Sequence, residues 1–156
     1  MSKATNLKSG KTVAIKAINK LKLSHSSSKL LREEIEIHAL CSHPNLVKLY
    51  SVYEDDQNVY QEMEYVKGGS LSQYISRRGP VSNWFIIGVL HQVAKALQFL
   101  KKLNIMHRDV KSQNILLTGK FIRFQDLVTE AEYEIPEVKL ADYGLSTIIQ
   151  NNEKPS

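Results

Sequence analysis

Cysteine is nearly missing from this chain: Cys41 is the only one in 156 residues. A single thiol cannot close an intramolecular disulfide, so no covalent staple is expected and a reducing compartment is the natural setting. No group of His and Cys stands at metal-ligand spacing, which argues against structural zinc. Long apolar runs are missing too. The longest, Trp84 to Leu90, is too short to cross a bilayer, and Met1-Ser2-Lys3-Ala4-Thr5 lacks the apolar segment of a signal peptide. The expectation is a soluble, cytoplasmic protein with no transmembrane segment. Internal repeats and low-complexity tracts are absent. Charge of one sign is not concentrated: 21 Lys+Arg against 16 Asp+Glu leave +5, with the cations scattered along the chain. Most aromatics sit in apolar patterns rather than between cations, so no nucleic-acid partner is expected.

What remains is a globular composition, 42% hydrophobic, in a chain long enough for one domain or two small lobes. After a polar start and the turn signal Ser9-Gly10, residues 12–18 are apolar and β-branched enough for a strand of an antiparallel sheet. Ser26-Ser27-Ser28 can cap a helix on which Leu31, Ile35 and His38 recur at helical spacing, ending near Cys41. Residues 46–53 and 58–66, parted by Glu54-Asp55-Asp56-Gln57, predict a hairpin. Lys67-Gly68-Gly69-Ser70 breaks the second strand and reads as a linker between lobes. Over 83–103, Phe85, Ile86, Val89, Leu90, Val93, Leu97 and Leu100 predict a helix buried on more than one side. Residues 115–117 and 138–140 are short β-like pieces around an insert, 118–137, whose default reading is a solvent-exposed loop. The tail 150–156 is polar and expected to be mobile.

Several residues have the chemistry that phosphoryl transfer needs: a cation on the phosphates, oxygen ligands for Mg²⁺, and a group that orients the nucleophile. Lys16 ends Val13-Ala14-Ile15-Lys16, where an extended backbone can aim its ammonium at phosphates and the small Ala14 leaves room for adenine. One Lys on a strand is more often a surface residue, so alone it says little. The helix that follows has a carboxylate for Lys16, and on helical pattern Glu33, Glu34 and Glu36 are all candidates. The strongest signal is His107-Arg108-Asp109-Val110-Lys111-Ser112-Gln113-Asn114, followed by Ala141-Asp142-Tyr143-Gly144. Asp109 can orient a substrate hydroxyl, Lys111 can neutralise the γ-phosphate, and Asn114 and Asp142 can bind metal. His107 reads as a structural histidine that holds the loop.

These strings resemble the eukaryotic protein kinases, from the second strand of the small lobe to just past the metal-binding loop. Lys111 resembles the serine/threonine branch. The resemblance implies an α+β fold: a partial small lobe over 1–66, with an antiparallel sheet and one helix, and over 67–156 a hinge and the start of a mainly helical large lobe. It implies ATP and Mg as cofactors, a protein substrate, and Asp109, Lys111, Lys16 and Glu34 as catalytic residues. Glu34 is favoured by its nine-residue spacing to His43-Pro44-Asn45. It implies Met63 as gatekeeper, Glu64 to Val66 as the adenine-contacting hinge, and Leu116 beneath the adenine, alongside Ala14 and Lys16. A narrower resemblance, in Ala96 to Leu100, Asn104 to Asp109 and Gln113 to Leu117 before a long insert, is to the autophagy-initiating kinases. That implies partners in the autophagy machinery and recruitment to the autophagosome assembly site. The departures are the missing Gly-rich loop upstream, the missing activation segment and large-lobe helices downstream, Glu62 and His38 where apolar residues are usual, and Tyr143 for the commoner Phe. They predict a weakly stable, nearly inactive piece of an active kinase. The alternatives are a catalytically dead interaction module that binds partners of a full-length kinase, and a small-molecule kinase of the same architecture.

Overall fold

The computed structural model describes residues 1–125 and 131–149. Strands β1 (Ser2–Thr5), β2 (Thr12–Asn19), β3 (Leu49–Glu54) and β4 (Asn58–Glu64) form an antiparallel sheet in the order β1-β2-β4-β3. The expected strand over 12–18 and the hairpin after the helix are both present. Strand β1 was not expected, because Ser2-Lys3-Ala4-Thr5 is short and has a single small apolar residue, too little to show an alternation. Its pairing with β2 is set by a turn in which Asn6 Oδ1 accepts from the backbone N–H of Lys8 and Ser9, with Gly10 at φ +68°.

Helix α1 (His25–Leu40) crosses from this sheet toward the rest of the molecule. Its N-cap is Ser24, whose hydroxyl accepts from the Ser27 N–H at 3.1 Å, so the serines expected to cap it lie in its first turn. Ser24 is the serine whose backbone stays extended, as a cap requires. Only Ile37 and His38 of this helix are buried.

The break at 67–70 is followed by a helix that was not anticipated, α2 (Leu71–Arg78). Ser70 and Gln73 form a reciprocal capping box, a signal present in the sequence as Ser-x-x-Gln. Helix α3 (Asn83–Lys102) has the expected span but buries one face, through Gly88, Val89, Gln92, Val93, Ala96 and Leu100. Ile86, Ile87 and Leu90 on the other side are exposed by 43%, 43% and 59%, so burial on more than one side is corrected to a single stripe.

The short strand β5 (Ile105–Met106) pairs with β8 (Thr147–Ile148), and the loop between β5 and β6 (Ile115–Gln125) carries the catalytic-type string. The expected exposed loop at 118–137 is instead a continuation of a hairpin between β6 and β7 (Glu132–Leu140). The ladder shifts register between Leu117 and Phe121 at Gly119, φ +80°, then resumes from Phe121↔Pro136 to Gln125↔Glu132. Strand β7 lies on α3: Ile135 is 1% exposed, and an added Cβ at Gly88 would stand 2.3 Å from its Cδ1. Trp84 stacks on Tyr133 with centroids 4.3 Å apart. Apolar contact with the helix therefore turns this segment into strand. Part of the insert, 126–130, and the tail 150–156 lie outside the described residues.

The main core joins α1, α2, α3 and the base of the β6–β7 hairpin through Ile37, Leu46, Leu71, Val93, Ala96, Leu100, Leu117, Val138 and Leu140. A buried polar clip crosses it. Gln92 Nε2 donates to the carbonyls of Gly88 and Pro136, and Gln92 Oε1 accepts from Asn45 Nδ2 and the Val138 N–H. All its capacity is used, so this buried amide fixes α3, β7 and the 43–47 loop in register.

Candidate active site

Side chains alternate across a strand, so Ala14 and Lys16 of β2 share one face, as do Gln61 and Met63 of β4. The register sets Ala14 opposite Met63 and Lys16 opposite Gln61. That face roofs a cavity of about 550 Å³ whose lining includes Glu34, His38, Glu64, Val66, Leu116, Asn114 and Asp142. Ala14, Lys16, Met63, Glu64, Val66 and Leu116, the six nucleotide contacts expected from the sequence, all line it.

Lys16 Nζ donates to Glu34 Oε1 at 2.6 Å, with the side chains 32% and 14% exposed. Helical pattern left Glu33, Glu34 and Glu36 open; the structure pairs Lys16 with Glu34, the one that the family spacing favoured. Glu33 faces Lys29 in an exposed pair at 4.0 Å, and Glu36 is exposed. Glu64 turns its carboxylate to Lys139 of β7 at 3.0 Å, and its backbone N–H donates to the Lys48 carbonyl beside β3 at 2.8 Å. The linker after it is pressed onto β6. Gly68 N–H donates to the Leu117 carbonyl at 2.8 Å, Leu117 N–H to the Gly69 carbonyl at 2.9 Å, and a Cβ on Gly68 would lie 2.3 Å from the Leu117 oxygen. This contact sets the height of Leu116 in the cavity floor.

In the loop before β6, Lys111 Nζ reaches both oxygens of Asp109, at 2.9 and 2.7 Å, and Asn114 Nδ2 donates to Asp109 Oδ2 at 2.8 Å and to its carbonyl at 2.9 Å. The Lys111 hydrogen bond, then that from Asn114, holds the Asp109 carboxyl below the usual aspartate range. Asp109 is ionised at neutral pH and able to accept from a hydroxyl. Asp109 and Lys111 stand outside the cavity lining; Asn114 links them to it.

His107 is buried, as its expected structural role requires. Its Nε2 donates to the Ala141 carbonyl at 3.2 Å and its Nδ1 accepts the Asp109 N–H at 3.3 Å. That pattern requires a neutral ring, and burial lowers its pKa in the same sense. The Asn114 carbonyl accepts the Ala141 N–H at 2.8 Å, which brings the two metal-ligand candidates onto one scaffold. Asp142 has φ +69°, a strained position for a side-chain-bearing residue, and Gly144 N–H donates to its Oδ1 at 3.2 Å.

Tyr143 is packed inward at 1% exposure, stacked on His38 at 4.4 Å and tilted against His107 at 5.6 Å. It fills the place of an aromatic core residue, as expected. His38, the other departure from an apolar pattern, is accommodated: Nε2 donates to the Val47 carbonyl at 2.8 Å and burial lowers its pKa. Glu62 is likewise satisfied, by Asn6 Nδ2 and the Tyr53 hydroxyl, each at 2.7 Å, and these bonds hold its carboxyl below the ordinary range. Cys41 is packed in the core, its thiol pushed up to about 11 by burial, so it is inert toward oxidants and metals at neutral pH.

The donor set suits Mg²⁺. No group of three or more His, Cys, Asp or Glu that could hold a metal occurs among the described residues. Mg²⁺ takes oxygen ligands, commonly one or two from the protein with phosphate oxygens completing the shell. Asn114 spends its amide nitrogen on Asp109, which turns Oδ1 away with no donor among the described residues, and Asp142 keeps Oδ2 free in the same way.

A roof lysine paired to a helix glutamate, a carboxylate loop and two oxygen ligands on one cleft form a phosphoryl-transfer arrangement. The protein kinase domain family matches the chain over residues 1–156. This chain belongs to the protein kinase family. Its relatives include the serine/threonine-protein kinase cds1 of Schizosaccharomyces pombe, 32% identical over 94% of this chain and 30% of that protein. Human NUAK family SNF1-like kinase 1 is 32% identical over 98% of this chain and 21% of its own length. Human serine/threonine-protein kinase ULK1 is 39% identical over 90% of this chain and 13% of its own. The chain thus spans a third or less of the relatives' lengths. Relatives of different names match at similar identity, which carries the serine/threonine kinase character and no narrower subfamily. No helix among the described residues is long and apolar enough to cross a membrane.

Sequence reasoning missed Gln61, Gly68 and Lys139 as parts of this site. Gly68 was visible only as a strand breaker. Nothing local to Lys139 points to Glu64, since the two lie on elements far apart in the chain.

Proposed function

We propose that this protein transfers the γ-phosphoryl group of ATP to serine or threonine hydroxyls of protein substrates. The observation that carries the reading is the Lys16–Glu34 pair at 2.6 Å, on the same cavity as Asn114 and Asp142, with Asn114 bonded to Asp109. In this reading Lys16, fixed by Glu34, holds the α- and β-phosphates. Ala14, Met63, Glu64, Val66 and Leu116 enclose the adenine. Asn114 and Asp142 hold Mg²⁺, which when bound neutralises charge on the phosphate oxygens. Asp109 orients the attacking hydroxyl and accepts its proton, and Lys111 leaves Asp109 to meet the γ-phosphate.

The test is a pair of assays. Mg·ATP is expected to raise the melting temperature, with EDTA cancelling the rise and Lys16→Met abolishing it. Transfer of labelled phosphate to a serine peptide is expected in the wild type and is lost in Asp109→Asn. Stabilisation by Mg·ATP without transfer would favour the non-catalytic interaction module, and no response to Mg·ATP would sink the nucleotide reading itself. Assignment to the autophagy-initiating kinases is the narrower reading, supported by the strings at 96–100, 104–109 and 113–117. It requires the protein to gather at autophagosome assembly sites on starvation, and diffuse cytoplasmic staining would remove it.

A further inference from the structure

The hairpin of β6 and β7 is a sheet of two strands, so each strand has one edge outside the ladder. The outer edge of β7 is used. The Gln92 amide takes the Pro136 carbonyl and the Val138 N–H, and Asn45 takes the Val138 carbonyl and the Leu140 N–H. The base of β6 is used as well, by Gly68 and Gly69 at Leu117. Beyond the register shift at Gly119, residues 121–125 have the β7 ladder on one side and no other backbone partner among the described residues. An open edge accepts an added strand, and edges that stay alone are commonly blunted by proline, which β6 lacks. Docking on α3 holds this edge extended before any partner arrives.

Ile122 and Phe124 stand opposite Ile135 and Tyr133, the residues that rest on α3, and so point toward that helix. Ile122 is still 36% exposed. At about 100° per residue, Ile87 leaves α3 on the far side of its buried stripe from Gln92, which reaches for β7; Ile87 therefore flanks β6, and it is 43% exposed. On the other face of the strand Phe121 and Arg123 project outward, and Arg123 meets Glu132 only in an exposed pair at 3.7 Å. Lys120 is exposed on the same strand, and Lys67 lies against Gly119 at its foot. The edge offers an apolar floor and a row of cations. Antiparallel pairing of two copies of it about its centre would set Arg123 against Arg123, so like charge disfavours a second copy.

We propose that the free edge of β6 binds an extended protein segment in which acidic and apolar residues alternate. Its backbone pairs with residues 121–125, its apolar side chains cover Ile122 and Ile87, and its carboxylates meet Arg123 and Lys120. This surface is separate from the nucleotide cleft and does not depend on the reading of that cleft.

The experiment titrates a short fluorescein-labelled peptide of alternating glutamate and valine into the protein, following anisotropy, with the lysine–valine peptide as its opposite. The wild type is expected to prefer the glutamate peptide by about tenfold, and Arg123→Glu, a change at an exposed side chain, to invert the preference. Backbone amides within 121–125 are expected to exchange more slowly with deuterium when the glutamate peptide is bound. Equal binding of the two peptides, a preference unchanged in Arg123→Glu, or amide exchange unmoved by the peptide would each overturn the proposal. So would concentration-dependent dimerisation in sedimentation that protects the same amides without peptide, since the occupant would then be a second copy.

Discussion

Gly88→Ala sets helix propensity against packing, and the structure decides the sign. In an isolated helix the change would stabilise by about 1 kcal/mol. Here the new methyl would stand 2.3, 2.8 and 3.0 Å from Cδ1, Cγ2 and Cβ of Ile135. Two of those atoms belong to the stiff, β-branched part of a side chain only 1% exposed, so rotamer change gives little relief. The hairpin must lift from α3 by roughly an ångström to restore ordinary carbon contact distances, straining the Trp84–Tyr133 stack with it. Overpacking of this kind costs about 1–3 kcal/mol, which leaves a net loss of up to about 2 kcal/mol once propensity is subtracted. For a chain of this size that corresponds to a melting temperature lower by up to about 8 °C. Thermal unfolding followed by circular dichroism reads it directly. The double variant Gly88→Ala/Ile135→Ala should be less destabilised than the sum of its parts by about 1 kcal/mol, because removing Cδ1 and Cγ2 makes room for the methyl. A rise in melting temperature for Gly88→Ala, with no coupling to Ile135, would refute the reasoning.

Gly68→Ala should lower the melting temperature and weaken Mg·ATP binding together, since its Cβ meets the Leu117 carbonyl, which cannot rotate away, and the two hydrogen bonds at this crossing are lost; a loss of about 2–4 kcal/mol is expected from denaturant unfolding. Tyr143→Phe should be neutral or stabilising by up to about 1 kcal/mol, because among the described residues the buried hydroxyl has no conventional partner and meets the weakly hydrogen-bonding sulfur of Cys41. A clear destabilisation in the same unfolding assay would show that the Cys41 contact matters more than the desolvation. Stability should fall on acidification because His38 and His107 are buried neutral with folded pKa values below 6.5. The unfolded chain takes up protons first, so stability present above that value is lost as pH drops from 6.5 toward the folded values. Melting temperatures between about pH 7.5 and 5.5 check this, with His38→Leu expected to flatten the slope and an unchanged slope counting against the assignment.

How far the sequence could be read depended on how local each signal was. The run from His107 to Asn114 is contiguous, so the groups that meet in Asp109, Lys111 and Asn114 were visible as a string. The same holds for the strand ending at Lys16 and for the periodic apolar residues of α3. The capping box Ser70-x-x-Gln73 was equally local, and α2 was missed because the neighbouring glycines drew the segment toward a linker reading. Helical pattern alone left Glu33, Glu34 and Glu36 open, since they differ only in the direction they leave the helix; it was the family resemblance, through the spacing to His43, that favoured Glu34, and the structure pairs that residue with Lys16.

The insert failed for a different reason. Residues 118–137 carry charges, and exposed loop is the default reading for such a run. Gly88 and Trp84 supply a surface on which the hairpin, through Ile135 and Tyr133, gains more by docking than by staying solvated, and that surface belongs to α3. Sequence by itself determined the family and nine of the residues that line the cleft, because the motifs of that family are particular groups at short spacing. Tertiary structure alone decided that the linker is pinned to Leu117 through Gly68 and that Lys139 occupies the Glu64 carboxylate. Those contacts join residues far apart in the chain, and their energy exists only when packing has brought the groups within hydrogen-bond reach and removed the water between them.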